Sequence, residues 1–463
     1  MEQNQIPTQH PEPEKLLPTM TLLLVFLSSC YTSPAVYQQP RETLPPRGIG
    51  AFERSKLIKP EQREPEDTLT LQDALSLAMS HNPELSISSW RVHASKARTL
   101  QAGLRPNPQI EGEVENFAGS STLGGFDEAE TTISLSQLFE LGDKRRKRLR
   151  VAELGQGLAE WDLQAKRLQV ISQTSLAFIE VLAGQRRVEL QSASLDLARE
   201  VLDSVTEREN AGKSSPIETI RAQIVVSQGE ISLGRARRSL DASRAMLAAI
   251  WGSRSARFTS AIGSLDEIQD LPPLESLTAR ISKNPDVSRW DVEIAERRAR
   301  IELVAAEATP DATITGGARL LQGTEDTAFV VGLSIPLPIH DRNQGRLREA
   351  EIDLSRATDE RRAAEIRVHS ALIDAYQALL SSFQEVTALR EQVLPAAGAA
   401  YEGIRESYRQ GKLTQLDVLE SQKTLFEVRD QYARSLTDYH RARAQVEGLV
   451  GTPISELKIG GLR

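Results

Sequence analysis

With 463 residues the chain is longer than one ordinary domain, and its formal net charge of −8 does not favour a nucleic-acid partner. Only 5% of residues are aromatic, while Ala, Leu, Glu and Arg dominate, the composition of long helices. No run of eighteen or more apolar residues occurs, which excludes a transmembrane helix, so any passage through a bilayer falls to β-strands.

A single cysteine, Cys30, rules out an internal disulfide and a cysteine metal cluster. It follows an apolar core, Leu22 to Leu27, and two serines, Ser28 and Ser29. This arrangement resembles a bacterial lipoprotein signal, so residues 1–30 are expected to be a signal peptide with lipidation at Cys30. The alternative is a free cysteine behind a short secretory segment. Residues 31–67, rich in Pro, Arg, Glu and Gln, cannot bury a core and read as an extended linker.

Residues 68–265 form a first unit. Helical periodicity starts after Thr70, which with Asp73 approximates a capping box, and runs to about Leu104 with Pro83 interrupting it. "RPNPQ" ends the helix and the period changes to two. In "QIEGEVENF", Ile110, Gly112 and Val114 share one face, and Glu111, Glu113 and Glu115 the other. In "TTISLSQLF", Ile133, Leu135 and Phe139 oppose Thr132, Ser134 and Ser136. A strand hairpin over 108–140 follows, each strand about ten residues, the length of a tilted transmembrane β-strand. Asp143 is expected to cap a proline-free helix over 144–211, about 100 Å long at 1.5 Å per residue. The chain reverses at 212–216 in "AGKSSPIE", and a helix of about 35 residues returns to Trp251.

Residues 266–463 repeat the plan. Asn284-Pro285 matches Asn82-Pro83, and a hairpin over 310–338 contains "DATITGGARL" and "AFVVGLSIPL". Asp341 matches Asp143 as a cap, a helix covers 342–410, and the tip at 411–414 is followed by a return helix. Gly212 aligns with Gly411 and Gly252 with Gly451, so the register of about 200 residues marks a duplication. In the last long helix Leu372, Leu379, Val386 and Val393 recur every seven residues beside Ile373, Leu380 and Leu394. Two adjacent seams fit a helix flanked on both sides, as in a curved wall, with a kink near Leu394 imposed by Pro395. Four strands cannot close a membrane barrel, which needs at least about eight. Two, three or four copies would give eight, twelve or sixteen, and the residues alone do not choose.

The stretches "LTLQDALSLAMSHNPEL", "GLRPNPQIEGEVEN", "SLSQLFELGDKRRKR", "ENAGKSSPIETIRAQ" and "YRQGKLTQLDVLESQ" together resemble the TolC family of outer-membrane factors, in particular its CzcC-like heavy-metal efflux branch, over about residues 68–452. The resemblance implies a mainly α fold with a small β part. Long antiparallel coiled-coil helices would form a trimeric α-barrel, and four strands per chain a twelve-stranded transmembrane β-barrel. It also implies a homotrimer in the Gram-negative outer membrane, lipid-anchored, with helices projecting into the periplasm. There it would dock on a periplasmic membrane-fusion adaptor and an inner-membrane pump of the proton-driven resistance–nodulation–division class. By the same resemblance Gly212, Lys213, Ser214 and Ser215, with Gly411, Lys412, Leu413 and Thr414, are adaptor-contact candidates. Asp417 and Glu420 would form an acidic ring at the entrance, where mutual repulsion raises carboxyl pKa values. Tyr408 and Glu218 would share a hydrogen bond in the gate. The implied cargo is heavy-metal cations; drugs or secreted proteins are the near alternative, and a pore-free periplasmic coiled-coil lipoprotein scaffold the distant one.

Three further readings rest on the residues themselves. Three carboxylates on the lipid side of one strand would be costly, so Glu111, Glu113 and Glu115 are expected to line a wet lumen. "KRRKR", Lys144, Arg145, Arg146, Lys147 and Arg148, opens a helix, where cations oppose the macrodipole. Following a membrane-type strand, it is expected to meet anionic phospholipid headgroups, the alternative being a helix face balanced by local acids. "AGKSS" is part of a phosphate-binding loop pattern, but Glu207 stands where its first glycine belongs and no strand precedes it. The six histidines lack ligand spacing and no hydrolase motif occurs, so neither an enzyme, a resident metal nor a cofactor is expected.

Overall fold

Two Asn-Pro steps organise the helices of the structure, a computed structural model that describes residues 64–454. The expected signal peptide, Cys30 and most of the expected linker lie outside the described residues. After β1 (Thr68–Thr70), Thr70 and Asp73 form a reciprocal capping box that starts α1 (Leu71–His81). Asn82 ends α1 and caps α2 (Pro83–Ala102): its Oδ1 accepts from the Leu85 N–H at 3.0 Å. Its Nδ2 donates to the Ile250 carbonyl at 2.7 Å, the last residue of α4 (Pro216–Ile250). In the second half, after the short α5 (Leu274–Thr278), Asn284 does the same for α6 (Pro285–Glu307). Its Oδ1 accepts from the Asp286 N–H at 2.8 Å, and its Nδ2 donates to the Leu449 carbonyl, near the end of α9 (Gln415–Val450), at 2.8 Å. Each asparagine thus satisfies an orphan donor at one helix start and an orphan acceptor at another helix end, with proline pre-set at N1.

The long α3 (Lys144–Asn210) is one unbroken helix of 67 residues, about 100 Å. Its counterpart is divided: α7 (Gln344–Ala388) passes through a π turn at Leu389–Val393 into α8 (Leu394–Arg409). Pro395 lacks the N–H that an α-helix requires, and the extra residue of the π turn lets the ladder resume beyond it. The heptad seam ends there too. Leu372, Leu379 and Val386 are fully buried, whereas Val393 is 40% exposed and Leu389 is buried instead.

The expected caps Asp143 and Asp341 are corrected. Asp143 precedes α3 in the left-handed region (φ 63°), makes no capping hydrogen bond and pairs with Arg146. Asn343, also left-handed (φ 62°), precedes α7, and the Asp341 carboxylate accepts from its N–H at 2.8 Å. A cap needs extended backbone to aim its side chain at the first turn.

β2 (Gln109–Glu115), β3 (Glu130–Phe139), β5 (Ala312–Leu321) and β6 (Asp326–Ser334) form one antiparallel sheet in the order β2-β3-β5-β6. β2 has seven residues, fewer than the expected ten. A pairing that periodicity missed joins β1 in parallel to β4 (Ser260–Ile262). Beside it sits the main core, where Leu69, Phe178, Leu247, Leu277, Leu436 and Tyr439 meet.

Candidate functional site

The sheet register puts side chains of opposite character on its two faces. Ile110 lies opposite Leu135, which lies opposite Gly316, and that opposite Val331. Ile133, Ile314, Leu320, Phe329 and Leu333 share this apolar face, and Phe329 and Val331 are 88% and 84% exposed. The other face carries Glu111 opposite Ser134, Glu113 opposite Thr132, and Glu115 opposite Glu130, with Arg319 beside Thr132. Thr132 and Ser134 are buried on this polar side while the apolar side lies open. Gly317 is forced by the close strand pairing: a Cβ there would meet the Ile133 carbonyl oxygen at 2.5 Å.

β2 and β6 are each paired on one side only among the described residues. The helices repeat that incompleteness. Near the sheet α2 packs on α3, α3 on α6, and α6 on α7; farther along, α4 packs on α3, α3 on α9, and α9 on α7 and α8. Edge helices keep apolar side chains in the open: Ile87, Trp90 and Leu100 on α2, and Ile217, Ile220, Ile224 and Ile231 on α4. Exposed contiguous apolar surface of this kind marks an unsatisfied interface.

At the strand–helix junction the basic run divides. Lys144 is buried, with Nζ 2.7 Å from Asp311 Oδ1, which also accepts from the Leu141 N–H at 2.9 Å. Arg148 pairs with Glu140 at 2.6 Å and donates to the carbonyls of Ala102 at 3.0 Å and Leu104 at 3.3 Å. The hydrogen bond to Glu140 keeps its guanidinium pKa above the ordinary value. These contacts correct the headgroup reading for Lys144 and Arg148, whereas Arg146, paired with Asp143, stays exposed. Arg148 answers the negative end of α2, so local partners offset the macrodipole of α3. Arg145 is exposed and Lys147 half-buried.

Both reversal tips have the same backbone. Gly212 (φ 70°) follows α3, and the Lys213 N–H bonds to the Arg208 carbonyl at 2.8 Å; Gly411 (φ 75°) follows α8, and the Lys412 N–H bonds to the Ser407 carbonyl at 2.9 Å. This left-handed glycine closure exposes Lys213 and Lys412. Ser215 caps α4 through the Ile217 N–H, and Thr414 caps α9 in a capping box with Asp417. Ser214 donates to Glu218, and Leu413 is exposed.

Within one chain the expected gate residues make other contacts. Tyr408 does not bond to Glu218; its ring stacks under the Arg208 guanidinium, 4.8 Å from the centroid, joining α8 to α3. Within the single chain the Asp417 carboxyl is held below the ordinary carboxylate range, because Thr414 donates to it from both side chain and backbone; the repulsion expected of a ring would come from other copies. Glu420 lies exposed one turn further along α9. Sequence reasoning missed Arg208, Asp311 and Arg319. Arg319 had a signal: it is the sole Lys or Arg in the four strands. Among the described residues no three His, Cys, Asp or Glu side chains gather as metal ligands, and no helix is long and apolar enough to cross a membrane.

The model of the outer membrane efflux protein family matches residues 74–253 and again 278–452. The chain belongs to the outer membrane efflux protein family. Among curated relatives, the cobalt-zinc-cadmium resistance protein CzcC of Cupriavidus metallidurans is 32% identical over 84% of this chain and 91% of its own length. The nickel-cobalt-cadmium resistance protein NccC of Alcaligenes xylosoxydans xylosoxydans is 26% identical over 70% of this chain and 71% of its own. The solved structure of the Campylobacter jejuni CmeC outer membrane channel superposes with a TM-score of 0.69 at 16% identity, over 88% of this chain and 92% of that one. This efflux protein is accordingly a TolC-like outer membrane channel, a passive conduit and not an enzyme. The two family matches fall on the two halves of its internal repeat.

Proposed function

We propose that three copies of this efflux protein close into one duct, the exit of a tripartite cation efflux machine driven by an inner-membrane pump. The observation that carries the reading is the protomer's double incompleteness. Among the described residues its sheet ends in two unpaired edges, and its helical layer ends in exposed isoleucines. Free N–H and C=O groups in lipid cost several kcal/mol each, so the edges must pair with other copies. Three copies give twelve strands with the apolar face toward lipid and Glu111, Glu113 and Glu115 toward water.

The glycine tips, with Lys213 and Lys412 exposed, are the surface offered to a periplasmic adaptor. Arg208, Tyr408, Glu218, Asp417 and Glu420 form the entrance, and Cys30 is the lipid anchor that holds the helices on the periplasmic side. Heavy-metal cargo is supported by the similarity to CzcC and NccC. A duct suits that cargo, because its sites must release what they admit. The deciding experiment is growth of a deletion strain on zinc, cobalt, cadmium, copper, nickel and silver. Lost tolerance to one or more, restored by the gene, is expected; unchanged tolerance to all would remove the metal assignment and leave the duct.

A further inference from the structure

Between Pro106 and Asp143, and between Pro310 and Asp341, the chain contains one Lys or Arg, Arg319. Its placement is specific. Glu115 and Glu130 stand directly opposite each other on β2 and β3, a like-charge pair that destabilises a sheet. Arg319 on β5 reaches both: its Nη1 lies 2.7 Å from Glu130 Oε2 and its Nη2 3.1 Å from Glu115 Oε2, while Nε donates to Thr132 Oγ1 at 2.9 Å. One guanidinium therefore ties three strands together across the polar face. Glu130 is held from the other side by Asn116 Nδ2 at 3.0 Å.

The register gives that face its charge. Glu111, Glu113, Glu115, Glu130 and Asp326 share it with Arg319, five carboxylates against one guanidinium. The cluster stands at the end of the strands farthest from the helices, beside the hairpin loops. Arg319 and Glu115 keep 30% and 44% of their side-chain surface exposed, so an ion passing this face feels them through little protein.

We propose that Arg319 is a selectivity-determining residue of the duct, tuning how strongly the exit prefers cations over anions by offsetting one of the two charges of the Glu115–Glu130 pair. The inference rests on the reading above, in which this face lines a water-filled lumen. Every copy contributes the same arrangement, so each change at Arg319 is multiplied around the ring. An exit with more net negative charge would admit cations more strongly and release them more slowly, and Arg319 limits that retention.

The test is reversal potential in planar bilayers under a potassium chloride gradient, with purified wild-type protein and three variants. R319Q removes the positive charge. The potassium-to-chloride permeability ratio should then rise several-fold, because one unit charge across about 10 Å of water changes each ion's Boltzmann factor about two-fold, in opposite senses for potassium and chloride, and every copy adds its own. R319K keeps the charge without the bidentate fork and should stay near the wild-type ratio. E115Q/R319Q also loses the brace but restores the wild-type charge count, and its ratio should return to wild type. A brace without an electrostatic role would leave the R319Q ratio unchanged, or leave the double variant as altered as the single, and either result overturns the proposal. Absence of any conductance in the wild type would instead overturn the duct reading on which it stands.

Discussion

At the scale of single residues, the repeated asparagines carry more weight than caps usually do. Asn284→Ala would remove an N-cap worth about 1 kcal/mol. It would also strip the Leu449 carbonyl of its donor, a further cost of about 1–3 kcal/mol. Urea unfolding followed by helical circular dichroism should show a loss of about 2–4 kcal/mol, and Asn82→Ala a similar loss, because Asn82 makes the matching two bonds, to the Ile250 carbonyl and from the Leu85 N–H. His440 gives a pH dependence. Burial holds its pKa below the ordinary 6.5, against the opposing hydrogen bond to the Leu265 carbonyl; Arg443 lowers it further, while Glu447 and Glu267 raise it. A base with a depressed folded pKa is protonated first in the unfolded chain, so acid favours unfolding. The neutral ring's contribution is whole above the unfolded pKa and is lost as pH falls from there toward the folded one. His440→Gln keeps a donor for Leu265, so the stability gap between wild type and variant should shrink from about pH 7 to 5.

At the scale of elements, the junction separates two readings of the basic run. Lys144→Met would leave Asp311 without its cation in a mostly buried site and should cost about 3 kcal/mol. Arg145→Gln, at an exposed position, should change stability by less than about 0.5 kcal/mol. If both variants unfolded alike, the junction account would be wrong. The sheet faces make a second contrast. Val331→Arg puts a charge on the apolar face, at about 2–4 kcal/mol near a bilayer midplane, whereas Thr315→Arg lies on the polar face and should be tolerated. Heat-modifiable gel migration of the outer-membrane fraction reads the difference directly.

Much of this architecture is legible in the sequence because two periods, 2 and 3.6, report faces that a whole element shares. The alternation of Glu111, Glu113 and Glu115 with Ile110 and Val114 survives in the sheet register. What periodicity cannot report is a partner far along the chain. Lys144 finds Asp311, and Thr68 pairs beside Ser260 in strands too short for any pattern. Nor can it separate a capping position from a capping conformation: Asp143 holds the position but has left-handed backbone and makes no cap bond. Tyr408 and Glu218 lie near the tips and could be singled out there, but Arg208, which the tyrosine stacks under, belongs to a helix read only as coiled coil.

At the scale of the whole molecule, the proposed duct makes one chain a section of wall. Its core is ample around Leu247, Leu379 and Tyr439, so the protomer is folded, yet sheet and helical layer both stop at edges that water and lipid would each penalise. The polar face and the exposed apolar face then fix which side of the closed wall is wet. The account therefore stands on copies joining edge to edge. Native mass spectrometry of the protein extracted in mild detergent tests it most directly. A single species of three chains is the result expected; a stable, folded single chain that persists across protein concentrations would contradict it.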